Sequence, residues 1–287
     1  MNGKTVVITG ANTGIGKETA VGLAEMGATV VLACRNRAKA EAAADEVKTR
    51  SGHPDVQLVD LDLADLDSVA QCAKEILDRC ERVDVLINNA GLQLKQRTTT
   101  KQGFETTFGV NHLGHFLLTD LLLDRLRTSA PARIVNLSSV GHNFAFGGLP
   151  WDDLQHETTR YTANGAYCES KLANILFTRE LARRLPPEEV TANACHPGAV
   201  RSEFGSSEDM GRFYGAFMKF AGLFEISSKS GARTSIYLAS SPDVEGKTGG
   251  YYVRRRLHRG SKRSRDADAA RRLWDVSEAL LASAGAR

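Results

Sequence analysis

Short apolar runs rich in β-branched residues recur along this chain, and helical segments rich in Ala, Leu and Glu separate them. "KTVVITG" (4–10) reads as a buried strand followed by a helix from Ile15 to Met26. "ATVVLAC" (28–34) reads as a second strand, with an Ala-rich helix through Lys48, and "DVQLVDLDL" (55–63) as a third, with a helix across 66–80. "VDVLINNAG" (83–91), "ARIVNLSS" (132–139), "VTANACHPG" (190–198) and "GGYYV" (249–253) bring the series to about seven strands. Near-continuous apolar strands need cover on both faces, and strands separated by helices are joined by right-handed crossovers. The pattern predicts an α/β fold, a Rossmann-type doubly wound parallel sheet with helices on both faces. No Pro/Ser-rich linker and no internal repeat interrupts residues 1–287, so a single domain is expected.

A net charge of +3 gives the molecule no strong field for nucleic acid, and no such partner is expected. No apolar run approaches the ~18 residues of a membrane span, and "MNGKTVVITG" enters a strand without a signal-peptide pattern. Five cysteines, odd in number and without zinc-like spacing, suggest free thiols in a reducing compartment, hence a cytoplasmic location. His112 and His115 stand three apart in "NHLGH" without an acidic partner, so they read as structural and no metal is expected.

"TGANTGIG" (9–16) lies between the first strand and the first helix, with glycines at Gly10, Gly14 and Gly16. A loop there must turn tightly, approach a pyrophosphate and offer helix N-terminal amides to it. Gly10, Asn12, Thr13, Gly14, Ile15 and Gly16 are the expected phosphate contacts. At the end of the second strand an acid would hold the ribose 2′-hydroxyl of NAD, whereas an arginine suits the 2′-phosphate of NADP. The chain has Arg35 there, in "ACRNRAKA", with Arg37 and Lys39 as helpers and Glu41 as the nearest acid, inside the helix. NADP(H) is therefore expected in preference to NAD(H).

"AYCESKLAN" (166–174) sets a phenol, Tyr167, four residues before an ammonium, Lys171. In a helix these positions share a face, and a nearby positive charge favours the phenolate. Such a pair fits general acid/base chemistry. An exposed polar helix face would give the same spacing, so the pair alone does not decide.

Taken together, "TGANTGIG", "LDLAD" (61–65), "NNAG" (88–91), "VNHLGHF" (110–116), "IVNLSS" (134–139), "YCESK" (167–171) and "HPGAV" (196–200) resemble, in their order, the short-chain dehydrogenase/reductase family over about 250 residues. "LACRN", "GVNHLGHFLLT", "AYCESKLANILFTRELARRL" and "RRLWDVSE" (271–278) are similar to its retinol-dehydrogenase-like group, as is the long stretch between Ser139 and Tyr167. The resemblance implies Tyr167 as general acid/base and Lys171 as the group that depresses its pKa and holds the nicotinamide ribose. It implies Ser139, rather than the competing Ser138, as the hydrogen-bond partner of the substrate oxygen, and Asn111 as the residue that positions Lys171 and a relay water. Asp62 and Leu63 should flank adenine, Asn89, Ala90 and Gly91 should line the cofactor cleft, and Pro197, Gly198, Val200 and Ser202 should meet the cofactor. Ser202 replaces the family's usual Thr and keeps the hydroxyl. Membrane-bound members carry an apolar N-terminal anchor, which this sequence lacks before its first strand.

Phe213, Phe217, Phe220 and Phe224 recur at helical spacing after the Pro-Gly motif, where this family places a substrate lid, here about 203–230. With Phe144, Phe146 and Trp151 they suggest a bulky apolar substrate: a retinoid, steroid, long-chain aldehyde or polyketide-like ketone. The expected function is an NADP-dependent alcohol/carbonyl oxidoreductase. A non-catalytic NADP-binding sensor or scaffold is the alternative; a sugar-nucleotide epimerase fits less well, lacking its glycine spacing and larger substrate domain. A basic C-terminal extension, about 251–287, begins with "YYVRRRLHRGSKRSR" (251–265), seven Lys/Arg and no acid. It reads as a solvated loop before a helix at 267–282, with at most weak, salt-sensitive attachment to anionic membrane surfaces. Homodimer and homotetramer both stay open.

Overall fold

A computed structural model of the chain describes residues 1–198 and 227–286. The strands are β1 (Thr5–Thr9), β2 (Thr29–Cys34), β3 (Val56–Asp60), β4 (Val85–Asn88), β5 (Ala132–Leu137), β6 (Val190–His196), β7 (Tyr251–Val253) and β8 (Arg256–His258). They form one sheet in the order β3-β2-β1-β4-β5-β6-β7-β8, with only β7–β8 antiparallel. The helices are α1 (Gly14–Ala24), α2 (Arg37–Ser51), α3 (Leu66–Arg79), a short α4 (Thr106–Phe108), α5 (Gly114–Thr128), α6 (Ala163–Arg184), α7 (Ser228–Ser240) and α8 (Ala267–Ser283). A π-helical turn, Gly109–Leu113, joins α4 to α5, and a 3-10 turn, Val140–Phe144, follows β5.

Side chains alternate across each strand, so β1 and β2 feed two cores. Val6, Ile8, Val30 and Leu32 pack with α1, α2 and α7, while Val7, Val31 and Leu86 pack with α3, α5 and α6. The strand order reverses between β1 and β4, and such a switch point opens a crevice at the strands' carboxyl ends. The seven expected strands are all present.

The eighth is a correction. Residues 254–258 were expected in a solvated basic loop, yet Arg256–His258 pairs with β7 through Val253↔Arg256 and Tyr251↔His258. Arg254 and Arg255 make the two-residue turn at φ 49° and 63°. Asn-Gly is the usual signal for such a turn, and two arginines conceal it. The charges leave this edge strand unattractive to another strand.

The helix α8 belongs to the core. Leu273 and Leu281 are fully buried, and the Trp274 ring lies 4.8 Å from Phe116 and 6.0 Å from Phe177, with the Arg184 guanidinium 4.3 Å above it. His112 Nε2 donates to Ser277 Oγ at 2.8 Å, because that hydroxyl gives its own proton to the Leu273 carbonyl. Truncating a packed Trp to Ala costs about 3–5 kcal/mol. Trp274→Ala should therefore lower the free energy of unfolding by that amount in urea titrations. A loss under about 1 kcal/mol would mean that α8 is not part of the cooperative core.

Candidate active site

The site begins at the end of β1. Thr9 Oγ1 accepts the backbone N–H of Asn89 at 2.9 Å and of Ala90 at 3.0 Å. The Asn89 amide returns two bonds, to the carbonyls of Thr9 (2.8 Å) and Gly10 (3.3 Å). The β1 and β4 ends are thus joined under the glycine loop. A Cβ at Gly16 would lie 2.4 Å from the Gly10 carbonyl oxygen and 2.6 Å from Asn89 Nδ2, so only glycine fits. Gly10 has φ +65° and its Cβ would meet that of Ala90 at 2.9 Å.

Above this floor lies a cleft of about 790 Å³. Of the expected phosphate contacts, all six line it, as do Arg35, Asp62, Leu63, Asn89, Ala90, Gly91, Tyr167, Lys171 and Pro197. Gly198, at φ +102°, follows Pro197 after β6 and is not among the cleft-lining residues, while Val200, Ser202 and the four phenylalanines of the expected lid lie outside the described residues. The cleft suits a dinucleotide. Thr13 stands at the N-terminus of α1 without making a side-chain cap, and the first turn carries no acid, so those amides are open to an anion.

Arg35 is exposed at the cleft rim, with no ion pair among the described residues. The acid nearest in register is Asp60, which pairs with Cys34 across β2–β3 and meets Arg37 at 3.5 Å. Arg37 also bonds Glu41 at 3.0 Å and does not line the cleft, unlike Lys39. Of the two helpers expected for Arg35, only Lys39 is in reach. Cys34 went unnoticed in the sequence. Its sulfur accepts backbone N–H bonds from Ala11 and Asn12, and burial pushes the thiol up to about 11. Its place at the strand end beside Arg35 was the available clue.

The π-helical turn presents Asn111, whose amide is fully engaged. Oδ1 accepts the Leu92 N–H (2.8 Å), and Nδ2 donates to the Leu92 carbonyl (2.9 Å) and Ser170 Oγ (2.9 Å). Asn111 thereby grips α6 one residue before Lys171. At Gly91 a Cβ would touch Asn111 Oδ1 and Lys171 Nζ, both at 3.2 Å. His115 closes the floor. A carbonyl only accepts, so Nδ1 donates to Asn111 O (3.2 Å) and Nε2 takes the Thr9 hydroxyl proton (2.9 Å). Burial holds His115 down to about 4, hence neutral. No cluster of metal-ligating side chains occurs among the described residues.

The two serines differ. Ser138 Oγ borders the cleft but gives its proton to the Lys171 carbonyl at 2.7 Å. Ser139 Oγ accepts the Gly141 N–H at 3.1 Å and is hydrogen-bonded with Tyr167. Lys171 Nζ lies 5.4 Å from the Tyr167 ring centroid, its one described hydrogen bond a 3.4 Å contact to the Leu137 carbonyl. The implied lowering of the Tyr167 pKa by Lys171 is not found here. Burial pushes the phenol up to about 12, opposed by the Ser139 bond, and the ammonium faces the ring. Burial also pushes Lys171 down to about 8.

Nor do the inserted aromatics line the cleft. Trp151 stacks under the Arg272 guanidinium (4.7 Å), and Phe146, 72% exposed, meets Phe144 edge-on at 5.9 Å.

Lys171 carries a stability consequence. Its pKa falls from 10.5 to about 8 on folding, so the unfolded chain binds more protons between those values and stability rises with pH there. Below pH 8 the burial penalty is complete, on the order of 3 kcal/mol. Lys171→Met should raise the urea midpoint of the cofactor-free protein at pH 7, by less as pH approaches 10. An unchanged or lower midpoint at pH 7 would contradict this.

Residues 4–150 match the profile of the short chain dehydrogenase family. Retinol dehydrogenase 13 of Homo sapiens is 45% identical over 289 residues, spanning 97% of this chain and 85% of that protein. Retinol dehydrogenase 12 of Homo sapiens is 47% identical over 283 residues, spanning 97% and 86%. Among solved structures, an uncharacterised protein from Mycobacterium Paratuberculosis has a TM-score of 0.77 at 37% identity, over 97% of this chain and 93% of that one. A protein described as a short chain dehydrogenase from Shigella flexneri 2a str. 301, complexed with NADP, has a TM-score of 0.66 at 26% identity, over 89% and 98%. With about half the chain in the family profile and relatives of this identity along nearly all of it, this chain belongs to the short-chain dehydrogenase/reductase family, enzymes that interconvert alcohols and carbonyls.

Proposed function

We infer that the protein is an NADP-dependent oxidoreductase for a bulky apolar alcohol or carbonyl compound, of retinoid type. The observation that carries this reading is that Tyr167 and Lys171 line the glycine-rich cleft while Ser139 bonds Tyr167 and Asn111 bonds Ser170 beside Lys171, Ser139 and Asn111 themselves standing behind the cleft wall. The relatives, retinol dehydrogenases 12 and 13, suggest the substrate type. The exposed Arg35, with Asp60 paired to Arg37 at 3.5 Å, supports NADP over NAD.

When bound, the nicotinamide supplies or accepts the hydride. The chain handles the matching proton. A phenol pushed up to about 12 is protonated at neutral pH, so Tyr167 can give its proton to a carbonyl oxygen as charge develops there. Ser139, bonded to Tyr167 in the free protein, can turn its one hydroxyl proton from the phenol to that oxygen as a second donor. Lys171 holds its charge 5.4 Å from the centre of the ring that becomes the phenolate. In the oxidative direction the same groups take the alcohol proton.

A panel of apolar alcohols and carbonyls, followed at 340 nm with both cofactors, tests the reading. Tyr167→Phe should lower kcat at least about 100-fold, since acid/base groups contribute 10²–10⁴, with NADPH binding kept. Near-wild-type turnover by this variant would remove Tyr167 from the role. Unmutated enzyme should favour NADPH over NADH in kcat/KM, and Arg35→Asp should erase or reverse the ratio. Equal kcat/KM for the two cofactors in the unmutated enzyme would sink the assignment of Arg35.

A further inference from the structure

We propose that His142 is a positioning residue for Ser139, through which the C-terminal basic segment fixes the serine relative to Tyr167. The proposal rests on the reading above, in which Ser139 bonds the substrate oxygen.

Ser139, two residues beyond the end of β5, is extended and caps the 3-10 turn Val140–Phe144. Its carbonyl takes two bonds from one residue, the His142 backbone N–H at 3.1 Å and the ring at Nδ1, 2.7 Å. The opposite ring nitrogen, Nε2, accepts the backbone N–H of Ser261 at 3.2 Å. A backbone N–H can only donate, so Nε2 is bare and Nδ1 carries the proton. One tautomer satisfies both partners. The ring is 1% exposed and sits edge-on to Tyr251 at 4.9 Å.

Ser261 is itself held. Its Oγ accepts the Ser264 N–H at 3.1 Å, its carbonyl accepts the Ser264 hydroxyl at 2.9 Å, and the Ser264 carbonyl accepts the Arg179 guanidinium at 2.6 Å. Gly260 turns the chain at φ +70°, where a Cβ would strike Ser264 Oγ at 2.6 Å. Arg179 and Tyr167 both belong to α6. The path Arg179, Ser264, Ser261, His142, Ser139, Tyr167 is therefore a closed ring of hydrogen bonds that leaves α6 and returns to it. From the other side, His196 Nδ1 accepts the Val140 N–H at 3.3 Å. The 251–265 run thus contributes more than charge. Its backbone buttresses the serine turn, and His142 is the joint.

Three substitutions separate the two ends of the ring. His142→Asn keeps an N–H near Nδ1, for Ser139, and cannot reach Ser261. His142→Gln keeps an acceptor near Nε2, for Ser261, and takes the ring donor from Ser139. His142→Phe keeps volume and removes both bonds. Misplacing a reacting group by about 1 Å costs on the order of 100-fold. At saturating NADPH and carbonyl substrate, His142→Gln and His142→Phe should lower kcat about 10- to 100-fold with KM for NADPH unchanged. His142→Asn, which keeps the bond to the Ser139 carbonyl and loses only the one to Ser261, should lower kcat by less than the other two, and its Tm falls as well. A purely structural histidine would lower Tm in all three and leave kcat of the folded enzyme alike. Wild-type kcat for His142→Phe, in an assay where Ser139→Ala is severely impaired, would overturn the proposal and leave the catalytic reading intact. Wild-type kcat for Ser139→Ala would overturn that reading of Ser139 and the proposal with it. If the variants do not fold, nitrogen-15 NMR of the unmutated protein decides: His142 protonated at Nδ1 and bare at Nε2 is expected, and the opposite tautomer would overturn the proposal.

Discussion

The hydroxyl of Thr9 sits where the sheet changes direction, and the cleft is organised around it. It accepts two backbone N–H groups from the loop after β4 and gives its proton to His115. Those bonds hold Asn89 against Gly10, which in turn forbids any side chain at Gly16. His115 passes the constraint to the carbonyl of Asn111, in a π-helical turn of the kind that often marks a functional site. Asn111 then fixes Leu92 and Ser170, so the phosphate loop, the cleft floor and α6 form one hydrogen-bonded unit. Thr9, His115, Asn111 and Ser170 are buried and each has a partner, which is the condition for such a network to rigidify a site.

Two groups remain under electrostatic stress in that unit, Lys171 buried and Tyr167 half-buried at the cleft wall. Tyr167 is pushed up and Lys171 down, both by burial. Each is pushed towards its neutral form, as expected for groups taken out of water. A site that keeps an ammonium at a cost to stability is better explained by chemistry than by packing. The same logic separates Lys171 from the surface cations, which sit in water or beside carboxylates at little cost.

The parallel strands were legible because a strand buried on both faces must be apolar at nearly every position, and "TVVIT", "TVVLAC" and "VLIN" are. β8 was hidden because its turn uses two arginines at positive φ and its residues are exposed. At the site, the motifs located the glycine loop, Arg35 and the Tyr167/Lys171 pair. They did not show which basic neighbour of Arg35 was already committed to Glu41 and Asp60, or that Trp151 packs under Arg272. They also did not show the burial that pushes Tyr167 up, because spacing on a helix carries no information about burial. His142 and Ser261 lie 119 residues apart, a contact no local pattern encodes.

A single-turnover reaction tests the central claim most directly. Enzyme preloaded with NADPH would be mixed in a stopped-flow instrument with all-trans-retinal, and the 340 nm absorbance of the bound cofactor followed together with the retinol formed. The account predicts one retinol per NADPH oxidised, with a rate that collapses in Tyr167→Phe while the cofactor stays bound. NADPH that binds tightly but is never oxidised, by retinal or by other apolar carbonyls, would contradict it and make the protein a cofactor-binding sensor.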